Sequence, residues 1–169
     1  MTQMAVLITA GLLLFLFESL IPRPLPWAKP GFSQMVTLIA LYLWGWREAV
    51  TVVAARVSLA ALIAGSFAGP AFWIALPSGI CAALIMAGCR AVAGERLSII
   101  GISMIGALTH NLVQLVAAWL LLVQQPQIFY LFPLLWLPAI VTGILVGWLA
   151  HASLTLLHRV SPSWGTNRA

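Results

Sequence analysis

The chain has 169 residues, of which 63% are hydrophobic and 7% charged, with a mean hydropathy of +1.08. Soluble domains carry about 25% charged residues, so this composition excludes a water-covered globule and leaves room for one lipid-facing bundle with no second domain. The net charge of +5 comes from eight scattered Lys and Arg against Glu18, Glu48 and Glu95, which excludes a nucleic-acid-binding stripe and suits loops that face an anionic leaflet.

Six apolar segments follow one another along the chain, predicting an all-α bundle of six transmembrane helices over residues 1–160 with a short tail over 161–169. The first runs from Met4 to Ile21 and ends at a loop in which Pro22, Pro24, Pro26 and Pro30 forbid helix. The second, Phe32 to Trp46, is only about fifteen residues long. It reaches across a bilayer only where the membrane thins or protein covers its ends. Gly45-Trp46-Arg47-Glu48 predicts a short turn, and Ala49 to Ser66 a third span. The fourth, Ala71 to Cys89, contains Pro77, where a kink is expected. A polar loop over Arg90 to Arg96 leads to the fifth span, Leu97 to Val123, and the sixth covers Phe129 to about Leu157.

With six spans and the N-terminus inside, the inner loops and tail hold Arg47, Arg90, Arg96, Arg159 and Arg168, and the outer loops only Arg23 and Lys29. The excess predicts a multi-pass protein of the cell's inner (plasma) membrane with both termini in the cytoplasm. No cleavable signal peptide is expected, because no Lys or Arg precedes the first apolar run. Cys81 and Cys89 lie two turns apart on one helix, too far for a disulfide, and two Cys make no metal site. Small residues recur at spacing four in Gly79, Ala83, Ala87 and in Ala139, Gly143, Gly147. That pattern fits either close packing within the bundle or a docking face for a partner helix.

Charged groups at bilayer depth cost about 2.5–3.5 kcal/mol on insertion scales and call for a reason. Glu18, near the end of the first span, and Arg56, near the middle of the third, are candidates to pair with each other. The densest polar cluster is Thr109-His110-Asn111 with Gln114. Spacings of three and four place His110, Asn111 and Gln114 on one face of the fifth helix, where an imidazole and two amides suit a polar ligand better than a metal. His151 and His158 are expected to reach toward the cytoplasmic interface. Arg23, Trp27 and Lys29 in the proline-rich loop suit a lid over an outward-facing pocket, or an interfacial anchor.

Residues 24–31, Pro-Leu-Pro-Trp-Ala-Lys-Pro-Gly, and residues 36–45, Val-Thr-Leu-Ile-Ala-Leu-Tyr-Leu-Trp-Gly, resemble the opening of the Gx transporter family. So do Glu48-Ala49 with Arg56, and Gly65-Ser66 with Pro70-Ala71-Phe72; the most specific match is Gly101 to Leu115, with its His110-Asn111-x-x-Gln114 core. The family is grouped with the substrate-binding S components of energy-coupling factor transporters. Many members carry the label heptaprenyl diphosphate synthase component I, and others look like membrane parts of flavin- and quinone-linked electron-transfer systems. The resemblance implies an outward-facing site for a small molecule, a coupling transmembrane subunit and two ATPases as partners, and no resident cofactor. Two positions depart from the pattern: Gly31-Phe32-Ser33-Gln34 stands where members read Gly-Leu-Ala-Asn, and the first helix offers Ala5 with Thr9 where S components show Ala-x-x-x-Ala.

Synthase activity by this chain alone is not expected, since Mg²⁺-diphosphate chemistry needs converging carboxylates and the chain has no Asp. The leading expectation is a substrate-capture subunit whose site is lined by Glu18, Arg56, His110, Asn111 and Gln114. The alternative is a membrane subunit of a flavin-linked electron-transfer complex that binds a quinone or isoprenoid.

Overall fold

The structure, a computed structural model, describes residues 2–20 and 31–160. The proline-rich loop, including Arg23, Trp27 and Lys29, and the tail over 161–169 lie outside the described residues. Among the described residues there are six α-helices and no strand: α1 (Thr2–Leu20), α2 (Gln34–Leu43), α3 (Trp46–Ile63), α4 (Pro70–Ala93), α5 (Ile99–Ala118) and α6 (Phe132–Val160). Three helical stretches are long and apolar enough to cross a membrane: Pro70–Ala93, Ile99–Val123 and Pro126–Val160.

The helices close into a ring in which α1 packs on α3, α3 on α4, α4 on α5, α5 on α6, α6 on α2 and α2 on α1. Helix α2 also touches α3 and α4, and seven of its ten residues are buried. It supplies Val36, Leu38, Ile39, Ala40 and Leu41 to the principal core, where they meet Val52 of α3, Met86 of α4, Ile102 of α5, and Ala150 and Leu154 of α6. At 1.5 Å per residue α2 is about 15 Å long, half of a roughly 30 Å hydrocarbon layer. Both ends are held by polar side chains from elsewhere. Glu18 of α1 binds Ser33 at the N-terminal end, and the Arg90 guanidinium of α4 donates to the Leu41 carbonyl at 2.5 Å while sitting 4.1 Å from the Tyr42 ring centre.

Local sequence explains the element boundaries. Gly45, at φ 110°, takes a backbone conformation closed to other residues and redirects the chain from α2 into α3. Helix α3 ends in a Schellman motif: Ser66 N–H donates to the Ala61 carbonyl, Gly65 N–H to that of Leu62, and Gly65 sits at φ 63°. Ser98 caps α5 by accepting from Gly101 N–H at 3.1 Å. The fourth helix runs unbroken past Pro77 to Ala93, four residues beyond the segment expected from sequence, and the polar loop shrinks to a single 3₁₀ turn over Gly94–Arg96. The fifth segment is not one regular helix: its last turn, Trp119–Val123, winds as a π-helix, and Gln124 N–H reaches back to Trp119 O at 2.8 Å.

The small-residue stripes face inward. A methyl group built on Gly143 would lie 2.8 Å from the Met104 Cα, and one on Gly147 would lie 2.7 Å from the Ile100 Cα. The α5 backbone therefore lies directly against α6. Gly79 abuts Val53 of α3 in the same way, and Ala83 and Ala139 are buried. Close packing of this kind holds helices together where lipid is as apolar as the side chains themselves.

Candidate functional site

One end of the ring encloses a cavity of about 520 Å³, lined among the described residues by α1, α3, α4, α5 and the Gly31–Gln34 approach to α2. Its size lies within the roughly 300–1,000 Å³ of small-molecule sites. The space comes from short side chains: α3 presents Ala60 and Ala61, with its C-cap Ala64 one turn further on, and α4 presents Ala71 and Ala75. Phe15 and Leu16 of α1 and Phe72 and Ile74 of α4 complete a mostly apolar wall. Phe72 is braced by Phe67, ring centres 5.0 Å apart, and by Trp73 edge-on at 5.4 Å.

Seven polar side chains interrupt that wall: Glu18, Ser33, Gln34, Arg56, Ser66, His110 and Gln114. Glu18 is fully buried and accepts Ser33 N–H at 2.8 Å through Oε1 and the Ser33 hydroxyl at 3.3 Å through Oε2. Ser33 thus supplies both its backbone N–H and its hydroxyl to this carboxylate. Arg56 is 3% exposed, its Nε has no hydrogen-bond partner among the described residues, and its guanidinium interacts electrostatically with Glu18. The two charges thus face one cavity, as the sequence suggested, held from helices α1 and α3.

The five residues picked from sequence do not all meet. His110 and Gln114 line the cavity, whereas Asn111 turns aside, with Nδ2 donating to the Leu135 carbonyl of α6 at 3.2 Å. Asn111 instead borders a small adjoining pocket of about 10 Å³ between α2, α5 and α6, with Ser103 and Thr142, which shares Gly31, Gln34 and His110 with the cavity. A spacing of one from His110 rotates Asn111 about 100° around the helix, enough to move it from the cavity to the neighbouring helix. His158 folds back on its own helix, its Nδ1 2.7 Å from Leu154 O. His151 is exposed and borders a groove at the opposite end of the bundle with Tyr42 and Arg90. Both cysteines are free.

One contributor was not expected from sequence. A Cβ built on Gly11 of α1 would come within 3.0 Å of the Arg56 Cδ, so the missing side chain there leaves a channel for the Arg56 stem. A glycine inside an apolar helix, opposite an intramembrane Arg, was the available signal. Another is Leu122, which the π-turn after α5 brings to the cavity; no sequence pattern announces that turn.

These features define a helical membrane protein with a buried, ligand-sized cavity. The chain belongs to the heptaprenyl diphosphate synthase component I family, whose model matches residues 7–153, and that family is similar to the S components of energy-coupling factor transporters. No curated protein and no solved structure matches the chain.

Proposed function

We propose that this protein is an S-component-like capture subunit for uptake of a small molecule, crossing the inner (plasma) membrane six times with both termini in the cytoplasm. The observation that carries the reading is the cavity itself: a buried carboxylate and a buried guanidinium on an otherwise apolar wall. Burying both charges is costly in any bundle, and a mere anchor gains nothing from it. The orientation follows from charge. Arg47, Arg90, Arg96 and Arg159 gather at the bundle end away from the cavity, an excess that supports a cytoplasmic position for that end and an outward-facing cavity mouth. In this reading α1 and α3 also span, α3 carrying Arg47, Glu48 and Arg56 at the cost of apolar length, and α2 completes the six as a short, protein-covered rod.

A coupling transmembrane subunit and ATPases would supply the energy. The exposed Ala5–Thr9 face of α1 suits docking of that subunit, because the Thr9 hydroxyl is spent on Ala5 O and leaves a small apolar surface. Prenyl diphosphate synthesis by this chain alone is disfavoured: diphosphate-bound Mg²⁺ wants several carboxylates, and Glu18 is the one acid among the described lining residues. The apolar wall also supports a second reading, a quinone- or isoprenoid-binding subunit of a flavin-linked electron-transfer complex. Native mass spectrometry of the protein in lipid nanodiscs separates them. A water-soluble molecule that leaves when Arg56 is replaced by Met supports capture, a quinone supports the redox subunit, and a preparation with nothing bound in any lipid defeats both.

A further inference from the structure

We infer that the cavity selects an electrically neutral, amphipathic molecule, with an apolar body and one polar head that offers a hydrogen-bond acceptor, and that it rejects anions, diphosphates included. This rests on the capture reading and names its substrate class.

The charges on the described wall balance. Glu18 and Arg56 contribute one of each sign and act on one another across the cavity. Gln34 and Gln114 add amides, Ser33 and Ser66 hydroxyls, and His110 an imidazole. Among the described lining residues, a charge brought in by the ligand has nothing left to neutralise it. An anion meets Arg56 only in the field of the buried Glu18, where two like charges repel strongly at low dielectric. A neutral acceptor meets no such cost. Arg56 still has donor capacity to give, since its Nε finds no acceptor among the described residues, and an unmet buried donor is a standing penalty that a ligand carbonyl, ring nitrogen or hydroxyl relieves. The geometry limits the rest of the molecule too. Phe15, Leu16, Phe72 and Ile74 give the same cavity apolar surface, which suits a ring or a short hydrocarbon as the body.

Glu18 sets the sign of the preference, and this makes the inference testable with three probes of one shape. Benzamide, benzoate and benzamidine share a ring and differ in the charge of the head. With the full-length protein in nanodiscs, competition for the co-purified molecule, read by native mass spectrometry, is expected to rank benzamide at least about tenfold ahead of benzoate. Glu18→Gln is expected to reverse that order toward benzoate, and Arg56→Gln to move it toward benzamidine. Benzoate at or above benzamide on the wild type overturns the inference, as does a rank order unmoved by Glu18→Gln, or displacement by farnesyl diphosphate in preference to farnesol. Should Glu18→Gln fail to fold, the wild-type ranking and the charge of the co-purified molecule decide alone, a neutral molecule supporting the inference and an anionic one overturning it. If no molecule co-purifies and no probe binds, the capture reading falls and takes this inference with it. If a molecule co-purifies but carries a negative charge, capture stands and neutrality falls.

Discussion

Replacing Arg56 by Met removes the guanidinium and keeps an apolar stem of comparable reach. Glu18 is then buried without its compensating partner on α3, a situation that costs about 3–5 kcal/mol. The expected result is a marked drop in melting temperature and loss of the bound molecule. Adding Glu18→Gln to Arg56→Met removes the stranded charge, so the double variant is expected to recover much of the stability and none of the binding. Melting curves of the two singles and the double measure that coupling. His110 and Asn111, adjacent in sequence, are expected to part company. His110→Ala lowers ligand occupancy in native mass spectra. Asn111→Ala leaves occupancy close to wild type and costs about 1 kcal/mol in stability, the worth of its bond to Leu135 O. Gly11→Val places branched carbons where the Arg56 stem passes and is expected to weaken binding without touching a polar residue. At this scale the sequence was informative wherever a residue was out of place in lipid. Glu18, Arg56, His110 and Gln114 all announced themselves by polarity and all reach the cavity. Asn111 announced itself equally and does not, because helix periodicity states which residues are neighbours and leaves open which helix they will face. Gly11 and the alanines of α3 announced nothing, since a small residue marks either space or close contact.

Among the elements, α5 and α6 depend on backbone proximity. Gly143→Leu or Gly147→Leu drives a side chain into the α5 backbone at Met104 or Ile100. Overpacking of this kind costs about 1–3 kcal/mol or more, and a loss of thermal stability with altered protease sensitivity around the α5–α6 connection is the expected readout. The stripes were visible in sequence as a pattern with two meanings, and the structure assigns them to the interior because the neighbouring backbone is found there. Helix ends were legible where a local rule applied: the Gly65 terminus of α3 and the Ser98 cap of α5 follow from residue type. The extension of α4 through Arg90 to Ala93 was not, because Arg90 reads as a loop residue until its target, the Leu41 carbonyl 49 positions earlier, is known. Arg90→Ala is expected to cost about 1.5–3 kcal/mol, the range for a hydrogen bond from a charged group, and to raise hydrogen exchange in the last turn of α2 selectively.

On the scale of the whole molecule, the cavity sits at one end of the ring and four of the five described Lys and Arg residues at the other. That polarity makes orientation and function a single question, since a mouth on the wrong side captures nothing from outside. Cysteine accessibility settles it: a Cys introduced at Ser66, at the cavity end, is expected to react with an impermeant maleimide added to intact cells, and one at Val92 only after lysis. Class and helix number followed from hydropathy alone. The closed ring, with α2 drawn into its middle, did not, because six apolar segments are compatible with many neighbour relations and the choice rests on tertiary contacts.

The shortness of α2 has a consequence for how the protein is made. A ten-residue helix cannot satisfy a membrane's thickness alone, and unsatisfied backbone groups at its ends are expensive in hydrocarbon. Its N-terminal approach is tied to Glu18, which the ribosome has already produced, but its C-terminal carbonyl waits for Arg90, and its core face waits for Ala150 and Leu154 of α6. In the six-span reading proposed above, assembly passes through a stage in which the other helices stand in the bilayer while α2 remains unfinished, sheltered by the insertion machinery or held at the interface. Nascent chains arrested before Arg90 should leave this segment open to protease, and chains released after Leu154 should close it, so that a helix synthesised later completes one synthesised earlier.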